Sequence, residues 1–304
     1  MKISEWHTPI EKLVLRVNEV YHDLEENYEK VHPEIFQKEK QRWVNVACEL
    51  FDLSKGLTVI DVGSGTGFVA LTTAGLLGGK DVFICSDISG GILKMAESSL
   101  KKQKFTCEFK FVKIPNQIPF KLPFENKQAD IITINSVLHH IENTKSFLSE
   151  VDRVLKPGGL IFIGHEPNSH FYQNKFLYFQ DYLLYAILNP RVVIRRLTKG
   201  ANWCSLEVRE KINKILLKEK LIESPLSNAE IGSLVDIKSR IGFAPENLFP
   251  KYETLYLETY NHIYRVSSKC SGKIIKAYEK ILQKKYPKAG LTFFLVIKKP
   301  TTIS

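Results

Sequence analysis

The sequence predicts a doubly wound α/β sheet with helices on both faces. Three observations carry that prediction. Short apolar runs ending in turn residues recur through the middle of the chain, helical patterns separate most of them, and the first run breaks into glycines at every second position, Gly63, Gly65 and Gly67. The 304 residues, 44% hydrophobic and 25% charged, suffice for one large domain or one domain with a sizeable insertion, and they exclude a disordered chain.

The elements follow in order. Residues 8–52 carry helical spacing in two segments that part near Pro33, one with Ile10, Leu13, Val17, Val20 and Tyr21 and one with Trp43, Val46, Ala47 and Leu50, so 1–52 reads as a helical cap. The period then shortens. Strands are expected at 57–63, 81–87, 107–114, 129–135 and 159–164, alternating with helices in a parallel core over 53–169. Residues 170–252, far longer than an ordinary crossover, read as a helical lid between strands five and six. A helix, a turn and a sixth strand are expected within 229–262, an amphipathic helix over 267–287 and a last strand over 290–299, so that 253–304 completes the sheet.

Charge is divided unevenly. Residues 1–169 hold 20 basic and 22 acidic side chains, whereas 170–304 hold 23 and 11. A basic second half either attracts an anionic partner or is a solvated, lysine-rich surface. The five cysteines, odd in number and scattered, suggest neither a disulfide framework nor a zinc site, and they read as reduced thiols in a cytoplasmic protein. The first residues show no basic start followed by an apolar block, so no secretory signal is expected, and the apolar stretch 176–188 is too short to span a bilayer.

Sheets of this kind bind ligands at the carboxyl ends of their strands, where "VIDVGSGTGF" places its glycines. Glycines there let a ligand approach the backbone closely. A dinucleotide turn would have its third glycine where Phe68 stands, and no Gly-Lys-Ser/Thr ending is present, so neither a pyrophosphate turn nor a P-loop is indicated. Asp61, two residues before Gly63, suits a cationic or zwitterionic ligand instead.

With "ICSDIS", "LPFENKQADIITINSVLHHIEN" and "RVLKPGGLIFIGHEPN" following in that order, residues 50–170 resemble the class I S-adenosylmethionine-dependent methyltransferases of the type 11-like branch. The resemblance implies a Rossmann-like seven-stranded sheet and S-adenosyl-L-methionine as cofactor, released as S-adenosyl-L-homocysteine. It implies that Gly63, Gly65 and Gly67 bed the methionine part, where Asp61 is placed to help hold it, that Asp87, beside Ile88, receives the ribose hydroxyls, and that Asn135 borders the cofactor. The chain departs from the family pattern in "KIPNQIPF", where Ile118 and Pro119 replace an expected Asp and small residue. Either Asn116 or Gln117 supplies the adenine contact, or stacking and backbone donors do.

For the chemistry, His140 after strand four and His165 after strand five are the candidate catalytic bases for a hydroxyl acceptor. Glu166, Tyr182 and Arg195 are candidate acceptor contacts: Glu166 as an anchor or a helix-cap neighbour, Tyr182 in an aromatic lid, and Arg195 beside it for a negative charge. Asn-Pro-Pro-aromatic and Pro-Cys signatures of base methylation are absent. The leading expectation is O-methylation of a small or carrier-linked acceptor, with no metal. The alternatives are an RNA methyltransferase tracking phosphates with its basic half and a methyltransferase-like scaffold without catalysis.

Overall fold

The computed structural model describes residues 9–24, 33–52, 54, 56–191, 194, 204–263 and 273–301. Two helices lead, α1 (Ile10–Leu24) and α2 (Pro33–Leu50), with Pro33 at a first helical position, where its missing N–H costs nothing. The core alternates β1 (Thr58–Val62), α3 (Phe68–Thr73), β2 (Val82–Asp87), α4 (Gly90–Lys101), β3 (Glu108–Lys113), β4 (Ala129–Asn135), α5 (Thr144–Val154) and β5 (Leu155–Pro167). After it come α6 (Ser169–Gln173), α7 (Lys175–Leu188), α8 (Leu206–Lys218), α9 (Asn228–Val235), β6 (Glu253–Tyr260), α10 (Lys273–Lys285) and β7 (Thr292–Lys298).

The seven strands lie in the order β3-β2-β1-β4-β5-β7-β6. The first five are parallel, as expected of the core over 53–169, and β7 runs antiparallel to both β5 and β6. An apolar run such as "TFFLVIK" is buried on both faces in either direction and so carries no sign of its polarity.

Alternation along each strand feeds two cores. Ile60 and Val62 join Phe147, Val151 and Val154 of α5 on one face, while Val59, Phe83 and Phe162 meet Trp43, Val46 and Ala47 of α2 on the other. A third core joins segments that the sequence keeps far apart. Leu13, Val14, Val17 and Val20 of α1 pack on Ile212 and Leu216 of α8 and on Ile231 and Leu234 of α9. The leading helix and the long insertion therefore form one cover, held above the carboxyl ends of the strands.

Candidate functional site

A cleft with a cavity volume of about 190 Å³, partly open to solvent, lies at the carboxyl ends of β1, β2, β4 and β5. Its floor is the turn after β1. Gly63 and Gly65 line it, and both have left-handed backbones, φ 73° and 54°. At Gly63 a Cβ would come within 2.4 Å of Val137, so the turn can close on the next strand only without a side chain. At Gly65 a Cβ would meet nothing within 4 Å, leaving bare backbone facing open space. Gly67 does not line the cleft; it caps α3 and lies against Ala96 of α4, a packing role.

Two carboxylates lie at this floor. Asp87, at the end of β2, lines the cleft and accepts the N–H groups of Gly65 and Ser89, each at 2.9 Å. Burial pushes its carboxyl up to about 6, against those two donors. Asp61 lies beneath the turn, nearly fully buried and out of the lining. Thr133 donates to its Oδ1 at 2.6 Å, while Oδ2 has no hydrogen-bond partner. Burial pushes it up to about 7, opposed by Thr133 and helped by the charge of Asp87.

One wall is apolar, formed by Ile88, Ile92, Ile114, Phe120, Ile141 and Phe147. Asn116 is not part of it. Its amide donates to Glu19 of α1 at 2.9 Å, in a cluster with Lys113 and Arg16, which corrects its expected place beside the cofactor. Phe120 is the residue of the "NQIPF" stretch that reaches the cleft, so that loop contributes an aromatic ring instead of an amide.

The opposite side is polar and histidine-rich. Asn135 lines the cleft with its Oδ1 held by the indole N–H of Trp43 at 3.0 Å. Ser136 and His165, both non-glycine residues with left-handed backbones at φ 61° and 55°, sit at the ends of β4 and β5 and both face the cleft; such strain concentrates where a side chain must be aimed. His165 Nδ1 stands 3.5 Å from Glu39 Oε1. His140 faces the cleft with Nδ1 2.6 Å from the Val235 carbonyl of α9, which places its proton on Nδ1 and leaves Nε2 as the acceptor. Burial, with the neighbouring imidazoles of His139 and His22, holds it well below the ordinary histidine range. His139 itself is raised: burial opposes its charge, but Glu166 2.9 Å away more than offsets the loss.

Glu166 is fully buried and absent from the lining, which corrects its reading as an acceptor anchor. Its carboxylate accepts the backbone N–H groups of Val137, Leu138 and His139 and faces the His139 ring, so it fastens the turn that presents His140. Replacing it, Glu166→Gln, is expected to cost about 1–3 kcal/mol of folding stability, read from the urea midpoint, with acceptor KM unchanged. A raised KM at wild-type stability would restore the anchor. Tyr182, half-exposed on α7, does not line the cleft either, because the inward face of α7 is formed by Leu177, Gln180, Asp181 and Tyr185. Arg195 lies outside the described residues.

The leading helices supply what the motifs do not. Leu15, Asn18 and His22 of α1 and Glu39 of α2 line the cleft. His22 packs edge-on to His140, and burial lowers it to about 4, the charge of His139 adding to the effect. Among the described residues of the lining there is no lysine or arginine.

Residues 60–163 match the family described as Methyltransferase domain. Demethylmenaquinone methyltransferase of Bacillus pumilus is 27% identical over 146 residues, 48% of this chain and 61% of that protein. The ubiquinone/menaquinone biosynthesis C-methyltransferase of Azotobacter vinelandii is 28% identical over 148 residues, 49% of this chain and 57% of the relative. The chain thus spans about six-tenths of the length of these relatives. Among solved structures, a SAM dependent methyltransferase from Aquifex aeolicus aligns at 24% identity over 43% of this chain and 71% of that one, with a TM-score of 0.36. No described helix is long and apolar enough to cross a membrane.

Proposed function

From the premise that residues 60–163 are a class I S-adenosylmethionine-dependent methyltransferase domain, we propose that the chain is an enzyme that methylates a small, apolar, uncharged ring acceptor of the quinol kind. The single observation that carries the reading is the placement of the buried Asp87 carboxylate and the bare Gly65 backbone on one cleft whose remaining walls are apolar on one side and histidine-lined on the other.

The residues present fit S-adenosylmethionine. Asp87 has lone pairs left after its two backbone contacts, enough to accept both hydroxyls of a ribose. Open space over Gly65 leaves room for the methionine part, and the hydroxyl of Ser64, which lines the cleft in the same turn, has no hydrogen-bond partner. The slot of Ile88, Ile114, Phe120, Ile141 and Phe147 suits a flat apolar-faced base held by stacking and not by an amide. The bound cofactor supplies an electrophilic methyl group; the chain aligns the acceptor and takes its proton.

Two features support the acceptor class. Among its described residues the lining holds no lysine or arginine to receive a phosphate, which favours an uncharged acceptor over RNA. The relatives named above as quinone-pathway enzymes include carbon methyltransferases, and they favour an activated ring carbon over the hydroxyl oxygen that the sequence suggests. The imidazole of His140 or of His165 serves either.

The test is transfer of labelled methyl from S-adenosylmethionine to a short-chain demethylated naphthoquinol or benzoquinol, with calorimetry of cofactor binding alongside. Label on a ring carbon is the expected result. Cofactor binding with label only on RNA, or only on a hydroxyl, would replace this acceptor class; failure to bind S-adenosylmethionine would remove the enzyme reading itself.

A further inference from the structure

Helix α7 is built inside out. Its inward face mixes Gln180 and Asp181 with Leu177 and Tyr185, all buried, whereas its outward face carries Phe176, Phe179, Leu183 and Ile187, with Phe179 at 66% and Ile187 at 63% exposure. In a helix at a protein–water boundary the polar residues face out. Here the solvent side is the more apolar one, and the buried polar side is tied down: Gln180 accepts the hydroxyl of Tyr278, from α10, at 2.7 Å.

Helix α10, the neighbour so joined, has a second outward stripe. Ile274 and Ile281, two turns apart, are 84% and 60% exposed. Around them stand Lys273, Lys276, Lys280, Lys284 and Lys285, all exposed, while the helix's one acidic residue, Glu279, is turned inward to cap the backbone N–H groups of His262 and Ile263. Ile275, Tyr278 and Leu282 face the other way, into a small core with Leu177 and Leu184 of α7. Helices with apolar outward residues beside a lysine fringe match the interface of a bilayer, where the apolar side chains enter the acyl boundary and the ammonium groups stay at the headgroups.

We propose that the outward faces of α7 and α10 are a docking surface for an anionic lipid bilayer. Charge complementarity selects this occupant over a second copy of the chain: the surface is lysine-rich and lies in the half of the sequence holding 23 basic against 11 acidic residues, so two copies placed face to face would repel. The inference goes beyond the reading of the cleft and does not depend on it. It does give an apolar acceptor a route, because α6 and α7 follow directly from the end of β5 that carries His165.

The test is co-sedimentation of the full chain with vesicles of phosphatidylcholine alone and of phosphatidylcholine with about a third phosphatidylglycerol. The expected result is binding to the anionic vesicles at least about tenfold tighter than to the neutral ones, weakened by added salt. Phe179→Ser with Ile187→Ser is expected to lose about tenfold or more through the lost apolar insertion, and Lys276→Glu with Lys280→Glu a similar factor through charge. Absence of binding by the intact chain, binding that neither variant pair weakens, or a concentration-dependent dimer that Phe179→Ser abolishes would overturn the proposal. Cofactor calorimetry without vesicles stays a separate readout, so failure here and failure of the methyltransferase reading are told apart.

Discussion

Asp87→Ala is expected to weaken S-adenosylmethionine binding by about two to three orders of magnitude while leaving the fold intact. Hydrogen bonds to a charged acceptor contribute about 1.5–3 kcal/mol each, and the carboxylate has room for two hydroxyl donors beyond the Gly65 and Ser89 amides it already serves. Removing it also frees those two amides, which loosens the turn that must hold the methionine part. The variant Asp87→Asn keeps the size but loses the charge and one acceptor, so it should fall between the two. Calorimetry checks all three proteins, and equal affinities would place the ribose elsewhere.

The same carboxylate sets a pH dependence. Burial pushes Asp87 up to about 6 and Asp61 up to about 7, so near neutrality the free protein retains protons that a cationic sulfonium ligand displaces. Binding therefore releases protons, and affinity rises with pH. Between about pH 7 and 6 the affinity should fall roughly tenfold per unit as Asp61 takes up its proton, and up to about a hundredfold per unit below about pH 6 as Asp87 does so too; Asp87→Asn should lose one proton's share of that slope. Titration in buffers of different ionisation enthalpy reads the proton count directly. An affinity flat from pH 5 to 7 would show that the two carboxyls are ionised without the ligand.

What could be read in the sequence was local. The glycine turn, Asp87, Asn135, His140 and His165 each sit at the end of an apolar run, and a parallel sheet brings such ends together whatever the rest of the chain does. The cover could not be read that way. Leu15, Asn18 and His22 reach the cleft because α1 packs on α8 and α9, some two hundred residues away, and His22 in "VYHDL" looks like any cation near a helix end. Glu39 is held by Arg42 of its own helix at 2.9 Å and by the hydroxyl of Tyr260 at 3.0 Å, and the second partner arrives only once β6 has joined the sheet beyond β7. Asn116 and Glu166 failed as site residues for a common reason. A polar side chain beside a strand end is satisfied by whichever backbone or charge lies nearest, here Glu19 for the first and three turn amides for the second, and sequence spacing does not record that competition.

His140→Gln is expected to lower kcat by about two to four orders of magnitude, the range that a positioned base contributes, with cofactor Kd changed only a few-fold. The ring is prepared for proton uptake from three sides. The Val235 carbonyl takes the Nδ1 proton, His139 beside it carries the positive charge drawn out by Glu166, and His22 packs against it as a neutral ring. Burial and the neighbouring rings of His139 and His22 disfavour a second proton on His140 more than the Val235 carbonyl favours one, so its neutral form persists well below the ordinary histidine range. The sign follows: as pH falls, a base of lowered pKa stays active, and the acid limb of kcat should lie well under pH 6.5. Glu166→Gln removes the partner that keeps His139 charged, which relieves His140 of one neighbouring charge and should move that limb upward toward the ordinary value. His165, the other candidate, stands 3.5 Å from Glu39 at the end of β5. If His165→Gln abolishes turnover and His140→Gln leaves it within a few-fold of wild type, the base is the residue on β5, and the neutral pair His22 and His140 serves to shape the cleft.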